Sequence, residues 1–357
     1  MTDILYITRA KLSLRRAHVH NILRTADALS RAGFFVTVLT SAPITHENDI
    51  RRANGIVGNV VMAHTPSLMM EIVRKRGKGK ICYLRDPLLW HLALLARFRG
   101  FRIVAEIHGS RESFLKRLTF PLLIRVAHGV LFITERLRVW YGTQKKPIAV
   151  IPCVGIRQDE IDDRERFDYR QKFGLAAEDM LAVYIGGGMG KYYDLSLPIR
   201  ALPLCDEHIK LIIVGMKDEE LSVLRTLATS MHVGDRFFSC DRFDPKETLT
   251  FARGADFLVC PKIWAPEGGI SAKYYAYLAS GRPSIVVDSA TDREVLSDNV
   301  ALLISPSPEA FASAMSELAH NESKREVMGE RAREHAKEFS EAMRTRHIRH
   351  VIEQTLL

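Results

Sequence analysis

Short apolar runs alternate with segments of helical spacing along nearly the whole chain. Asp3-Ile-Leu-Tyr-Ile-Thr8 predicts a first buried strand. From Ala17 to Ala32, Val19, Ile22, Leu23, Ala26 and Leu29 recur every three to four positions, which predicts a helix that Gly33 closes. Phe35-Val-Thr-Val-Leu39 predicts the next strand, and further short runs follow at Val60–Met62, Ile81–Leu84, Ile103–Ile107, Val130–Ile133 and Ile148–Ile151. A second series has strands at Leu181–Ile185, Leu211–Val214, Phe257–Cys260, Ser284–Val287 and Leu302–Ile304. Helices fill residues 307–319 and 322–337. Strands alternating with helices imply parallel sheets covered on both faces, an α/β protein.

Between the two series, Arg157 to Gly174 is dense in charge of both signs and poor in apolar residues, as expected of a connection with a solvated helix. The chain therefore divides into residues 1–160 and 170–337, and a final helix within 340–357 is expected to pack back on the first domain. A length of 357 residues suits two such domains better than one core. No internal repeat or low-complexity tract interrupts the pattern.

Composition narrows the class. An apolar fraction of 47% with 26% charged residues excludes wholesale disorder. The longest apolar run, Leu88 to Ala96, is broken by His91 and is too short to span a bilayer. Arg9, Lys11, Arg15 and Arg16 interrupt any signal-peptide pattern, so a cytoplasmic location is expected. Five scattered cysteines show neither a disulfide framework nor a metal or redox spacing, and Cys82, Cys205 and Cys260 read as buried thiols. Charge is uneven: residues 1–150 hold 25 Lys and Arg against 9 Asp and Glu, whereas residues 151–357 hold 26 against 33. A net of +16 on one half points to a polyanionic partner, nucleic acid or an anionic membrane surface.

The candidate chemistry lies mainly in the second half. Gly186-Gly187-Gly188-Met189-Gly190 follows a strand and precedes Lys191. Glycines let backbone amides approach a phosphate, and the lysine adds the charge. Lys273-Tyr-Tyr-Ala-Tyr-Leu-Ala-Ser-Gly281 follows Glu267-Gly268-Gly269-Ile270 and predicts a helix at the carboxyl ends of the strands, where open α/β sheets bind ligands. Tyr274, Tyr275 and Tyr277 read as helix packing. In the basic half, His108 ends the strand Ile103–Ile107 and Arg9 follows the first strand, where it could line an acceptor. His18 and His20 carry less weight, and no metal-binding spacing is visible.

The ordered landmarks Ala32-Gly-Phe-Phe-Val-Thr-Val38, Arg102-Ile-Val-Ala-Glu-Ile-His-Gly109, Val130–Thr134, Ile148–Pro152, Val183–Lys191, Leu211–Gly215 and the Glu267–Pro283 segment resemble retaining glycosyltransferases of family 4. The resemblance covers nearly the whole chain and implies the GT-B fold, two Rossmann-like domains facing across a cleft. It implies an acceptor site in residues 1–160 and a nucleotide-sugar site in residues 170–337. Glu267 would lie against the donor sugar, Gly269 and Ile270 would offer amides, Lys273 would reach the diphosphate, and His108 would stand beside the sugar. Two positions depart from the pattern: Gly187 or Gly188 replaces an arginine, and Ala276 replaces a second glutamate that would hold the ribose diol.

A retaining transfer in this fold implies no carboxylate pair of the glycosidase kind, no metal and no cofactor beyond the nucleoside-diphosphate sugar itself. The basic run Arg74-Lys-Arg-Gly-Lys-Gly-Lys80 and the mixed segment Phe114–Val126, with Lys116, Arg117 and Arg125, suggest peripheral docking on an anionic membrane and a lipid-linked or other membrane-surface glycan acceptor. Rival readings are a non-catalytic sugar-nucleotide-binding or scaffold protein and a nucleic-acid binder, with a sugar epimerase more distant.

Overall fold

The computed structural model describes residues 2–13, 17–109, 114–142, 145–187, 192–241, 243–264 and 269–357. Two compact units share the chain. Met1–Gly155 and Glu341–Leu357 form the first, and Ile156–Ala265 and Ser271–Ser340 form the second.

Among the described residues the first unit has strands β1 (Asp3–Thr8), β2 (Phe35–Thr40), β3 (Val60–His64), β4 (Ile81–Leu84), β5 (Arg102–Ile107), β6 (Gly129–Phe132) and β7 (Ile148–Val150). They form one sheet in the order β3-β2-β1-β4-β5-β6-β7 with all neighbours parallel. The strands are apolar runs rather than alternating ones because helices cover both faces. Tyr6, Val36, Val38, Tyr83, Val104 and Leu131 lie in one core with Ile348, Val351 and Ile352 of the helix Glu341–Leu356. That helix approaches β6 so closely that a Cβ at Gly129 would stand 2.6 Å from Val351 Cγ1.

The second unit has β8 (Met180–Ile185), β9 (Ile209–Val214), β10 (Phe237–Cys240), β11 (Phe257–Cys260), β12 (Ser284–Val287) and β13 (Ala301–Ile304). Their order is β10-β9-β8-β11-β12-β13, again parallel throughout. The two sheets have the Rossmann-like organisation expected from the alternating pattern.

Two details differ from that expectation. The edge strand β10 was absent from it, because four residues reading Phe-Phe-Ser-Cys carry too little pattern to stand out. The stretch 157–174 is no mere solvated connection: its helix Tyr169–Phe173 is anchored by Tyr169, which is 1% exposed and donates to the Phe251 carbonyl at 3.0 Å. Phe167 stacks on Phe251 at 4.6 Å and completes the anchor. Cys82 and Cys260 are buried, but Cys205 is only half-buried at the end of a 3-10 turn.

Candidate functional site

In the second unit the chain reverses its direction of winding between β8 and β11, a switch point at whose carboxyl ends open α/β sheets bind ligands. Gly186 leaves β8 there with φ +150°, and the helix Lys273–Ser280 begins there after β11. A Cβ at Gly186 would stand 2.3 Å from Lys273 Cε and 2.8 Å from Nζ, so the missing side chain makes the room that the lysine occupies. Lys273 Nζ lies over the Tyr193 ring at 3.8 Å and the Tyr184 ring at 5.1 Å. Burial alone would lower its pKa, but the electrostatic coupling to Tyr184 and Tyr193 outweighs burial and raises it. Lys273 is therefore an ammonium at neutral pH, held by ring faces and by no carboxylate partner among the described residues.

The loops around this lysine are tied down. Asp194 N donates to the Pro261 carbonyl at 2.9 Å and Ile263 N to the Tyr192 carbonyl at 3.1 Å, joining the segment after β8 to the segment after β11. Tyr193 and Ser271 hydroxyls meet at 3.0 Å. The other nearby cation, Lys262, is spent on buried Asp292 at 2.5 Å. Tyr277 accepts from Ile185 N at 3.1 Å and donates to the Val259 carbonyl at 3.3 Å, pinning β8 to β11. The packing expected for Tyr274, Tyr275 and Tyr277 is thus found, with all three at most 1% exposed. Ala276 is 6% exposed, and the helix Lys273–Ser280 carries no carboxylate.

The remaining expected ligand contacts fall partly outside the described residues. Gly187 is described and lies beside the Gly215 carbonyl, whereas Gly188, Lys191, Glu267 and Gly268 lie outside the described residues. Gly269 and Ile270 are described and directly precede Ser271 in the segment leading to Lys273.

The first unit has its own reversal between β1 and β4. Arg9, just past β1, pairs with Asp86, just past β4, at 2.6 Å and remains about half exposed. Asp86 also caps the turn Pro87–Leu89 by accepting from Leu88 N at 3.0 Å. Beside them, His108 at the end of β5 is engaged on both ring nitrogens. Arg85 Nη2 donates to Nδ1 at 2.7 Å, and Nε2 donates to Glu106. Only the neutral imidazole with its proton on Nε2 satisfies both contacts, because a guanidinium cannot accept. Burial and Arg85 push the His108 pKa down to about 4, against the pull of Glu106.

Glu106 is fully buried and accepts from Tyr83, His108 and Arg344 Nη2, the last at 2.7 Å. Burial would raise its pKa, but Arg344, His108 and Arg85 hold it well below the ordinary carboxylate value. Arg344 comes from the helix Glu341–Leu356 and also donates to the Pro152 carbonyl at 2.9 Å. Arg85 and Arg344 were not singled out from the sequence. Arg85 could have been, since it directly follows the apolar run of β4; Arg344, 238 residues from Glu106, left no local signal. His20 meets Asn54 Oδ1 at 3.0 Å, a packing contact on the helix Ala17–Arg31.

The first unit also exposes apolar side chains in a pattern. On the helix Phe114–Val126, Phe114, Leu115, Leu118 and Leu122 are 75%, 60%, 52% and 36% exposed, with Arg117 and Arg125 on the same outer face. The helix Leu68–Arg74 adds exposed Met69, Met70 and Val73, and leads into exposed basic residues through Lys80. No helix among the described residues is long and apolar enough to cross a membrane.

Residues 165–335 match the family described as glycosyl transferases group 1. No curated protein matches the sequence. Among solved structures, Anabaena Alr3699/HepE in complex with UDP is similar over 99% of this chain and 100% of its own, with a TM-score of 0.78 at 15% identity. A glycosyltransferase from Rickettsia africae ESF-5 has a TM-score of 0.78 at 13% identity, covering 99% of this chain and 98% of its own. Sucrose-phosphate synthase from Thermosynechococcus elongatus has a TM-score of 0.69 at 16% identity, covering 99% of each chain. At these identities the structural likeness establishes the fold, which is GT-B, and together with the group 1 domain over residues 165–335 it supports a GT-B glycosyltransferase.

Proposed function

We propose that this chain is a retaining glycosyltransferase of family 4 type that takes a hexose-like sugar from a nucleoside-diphosphate donor. The observation that carries the reading is Lys273, a cation without a carboxylate partner among the described residues, seated against Gly186 at the β8–β11 switch point. Lys273 would face the diphosphate, with the amides that follow Gly186 and with Lys191 as a second cation. The acceptor hydroxyl attacks the anomeric carbon from the side the leaving group departs. The carbon–oxygen bond to the diphosphate breaks as the new glycosidic bond forms, and the departing phosphate oxygen takes the acceptor's proton. Lys273 stabilises the charge that accumulates on that oxygen, a preorganised electrostatic contribution. UDP is the first nucleotide to test, since the Anabaena protein was solved with UDP and with UDP-glucose.

Glu267, Gly268, Gly269 and Ile270 remain the candidate contacts to the donor sugar, and Arg9 a contact on the acceptor side. His108, with both ring nitrogens engaged by Arg85 and Glu106, would line the sugar site as a neutral imidazole rather than shuttle a proton. The exposed Phe114, Leu115, Leu118 and Leu122 with Arg117 and Arg125 favour an acceptor at an anionic membrane surface, to which the protein would bind peripherally from the cytoplasm.

A second reading, a sugar-nucleotide-binding protein without transferase activity, is favoured by Ala276, because the helix Lys273–Ser280 offers no carboxylate to a ribose. Thermal-shift measurements against nucleoside diphosphates and their sugars test binding, because a ligand of the folded state raises the melting temperature by mass action. No shift with any of them removes both readings. A shift followed by neither transfer nor donor hydrolysis selects the second.

A further inference from the structure

The sequence shows no metal-ligand spacing, yet the fold of the second unit brings Asp206, His208 and His320 together, with one ligand atom of each lying within 4.8 Å of the others. Asp206 and His208 lie on the segment entering β9, and His320 ends the helix Pro308–His320. The trio therefore sits at the amino ends of the strands. Lys273 and Gly186 are at the opposite ends, about 20 Å away along a six-residue strand.

The hydrogen bonds of His320 define what the cluster lacks. Nδ1 lies 2.9 Å from the Ser316 carbonyl, an acceptor, so Nδ1 carries a proton. In the neutral ring Nε2 is then a bare lone pair, and it lies 2.7 Å from Asp206 Oδ2, which is also an acceptor. Two lone pairs that converge in this way need a cation between or beside them, a second proton or a metal ion. The backbone carbonyl on Nδ1 is the outer contact that commonly orients a metal-binding imidazole. The His208 ring approaches edge-on with its centroid 5.8 Å from that of His320 and supplies a third donor.

The helix end favours a cation. His320 ends a thirteen-residue helix, where the backbone dipole is negative. Buried Arg236 donates to the carbonyls of Asp206 at 2.7 Å, Cys205 at 3.3 Å and Ile209 at 3.2 Å, fixing the ligand-bearing segment. Asp206 and His320 are each more than half exposed, so rotation can open their contact to the separation of about 3.3 Å that bonds of about 2.0–2.2 Å to one tetrahedral ion require.

We propose that Asp206, His208 and His320 bind one divalent transition-metal ion of the zinc type, with water in the remaining position, and so clamp the start of β9 to the end of the helix Pro308–His320. Two imidazoles and one carboxylate suit zinc, cobalt, nickel or copper rather than magnesium or calcium.

The test titrates zinc into the metal-free full-length protein by calorimetry, repeats it with cobalt(II) followed by its visible absorption, and records the melting temperature. The expected result is one ion per chain at micromolar affinity, a four-coordinate cobalt spectrum and a rise in melting temperature. His320→Gln and His208→Gln should each weaken binding at least tenfold, and two single variants guard against one failing to fold. No stoichiometric binding, or binding undiminished in both variants, overturns the proposal and leaves a proton between His320 and Asp206. The readouts do not involve glycosyl transfer, so they succeed or fail independently of the proposed enzyme activity.

Discussion

Gly186 and Lys273 form a fitted pair: the lysine's terminal carbon and nitrogen occupy the space where a Cβ on residue 186 would stand, 2.3 and 2.8 Å away. Any side chain at 186 must displace the ammonium or distort a backbone already at φ +150°. Lys273→Met should weaken UDP binding by ten- to a hundred-fold, since a hydrogen bond to a charged group is worth about 1.5–3 kcal/mol. Gly186→Ala should weaken it through the same lysine, so the double variant should fall short of the summed effects. Calorimetric titration of UDP against the four proteins checks this; undisturbed binding by Gly186→Ala would show that the lysine's place is unimportant.

Arg344 and Glu106 form a buried ion pair in the first unit, with side chains 4% and 0% exposed. Arg344→Met removes the largest favourable charge on Glu106 and should cost about 3–5 kcal/mol in urea unfolding. Adding Glu106→Gln should recover part of that loss, because no stranded carboxylate remains. A single Arg344→Met variant as stable as the parent would mean that Tyr83 and His108 suffice to hold the carboxylate.

Acidification should destabilise the first unit through its histidines. The pKa of His108 is pushed down to about 4 by burial and Arg85, and that of His128 to about 4 by burial and by Arg97, Arg102 and Lys146. Between about pH 6.5 and 4 the unfolded chain binds protons that the folded chain refuses, so stability falls as pH falls through this window. Below it, depressed Glu106 adds a further loss of the same sign. His128→Asn should flatten the melting temperature between pH 6.5 and 4.5. An unchanged slope would assign the whole effect to other groups.

Leu118→Glu with Leu122→Glu should abolish sedimentation with vesicles rich in anionic lipid while leaving unfolding within about 0.5 kcal/mol of the parent, because both side chains are already exposed. Retained binding by this variant would transfer the interaction to the basic run ending at Lys80 or dispense with the membrane.

Much of the strand framework was legible because parallel, doubly covered strands are apolar runs, and Ile81–Leu84, Phe257–Cys260 and Ser284–Val287 stand where the pattern put them. The place of Lys273 in the fold was legible for a related reason: it opens the helix that follows β11, and Gly186 directly follows the neighbouring strand β8. The chemistry around His108 was only half legible. Glu106 was part of the same short motif, but Arg344 reaches it from the far end of the chain, and no periodicity records such a contact. Asp206, His208 and His320 were hidden similarly, as two residues at a strand's entry and one at a helix's exit have no common spacing in sequence.

The helix Glu341–Leu356 belongs to the first unit, although every residue of the second precedes it in the chain. Until that helix docks, the first unit has an open flank along β6, and Glu106 lacks the guanidinium of Arg344. The half made first is thus completed by the residues made last, after the whole of the other half has been synthesised.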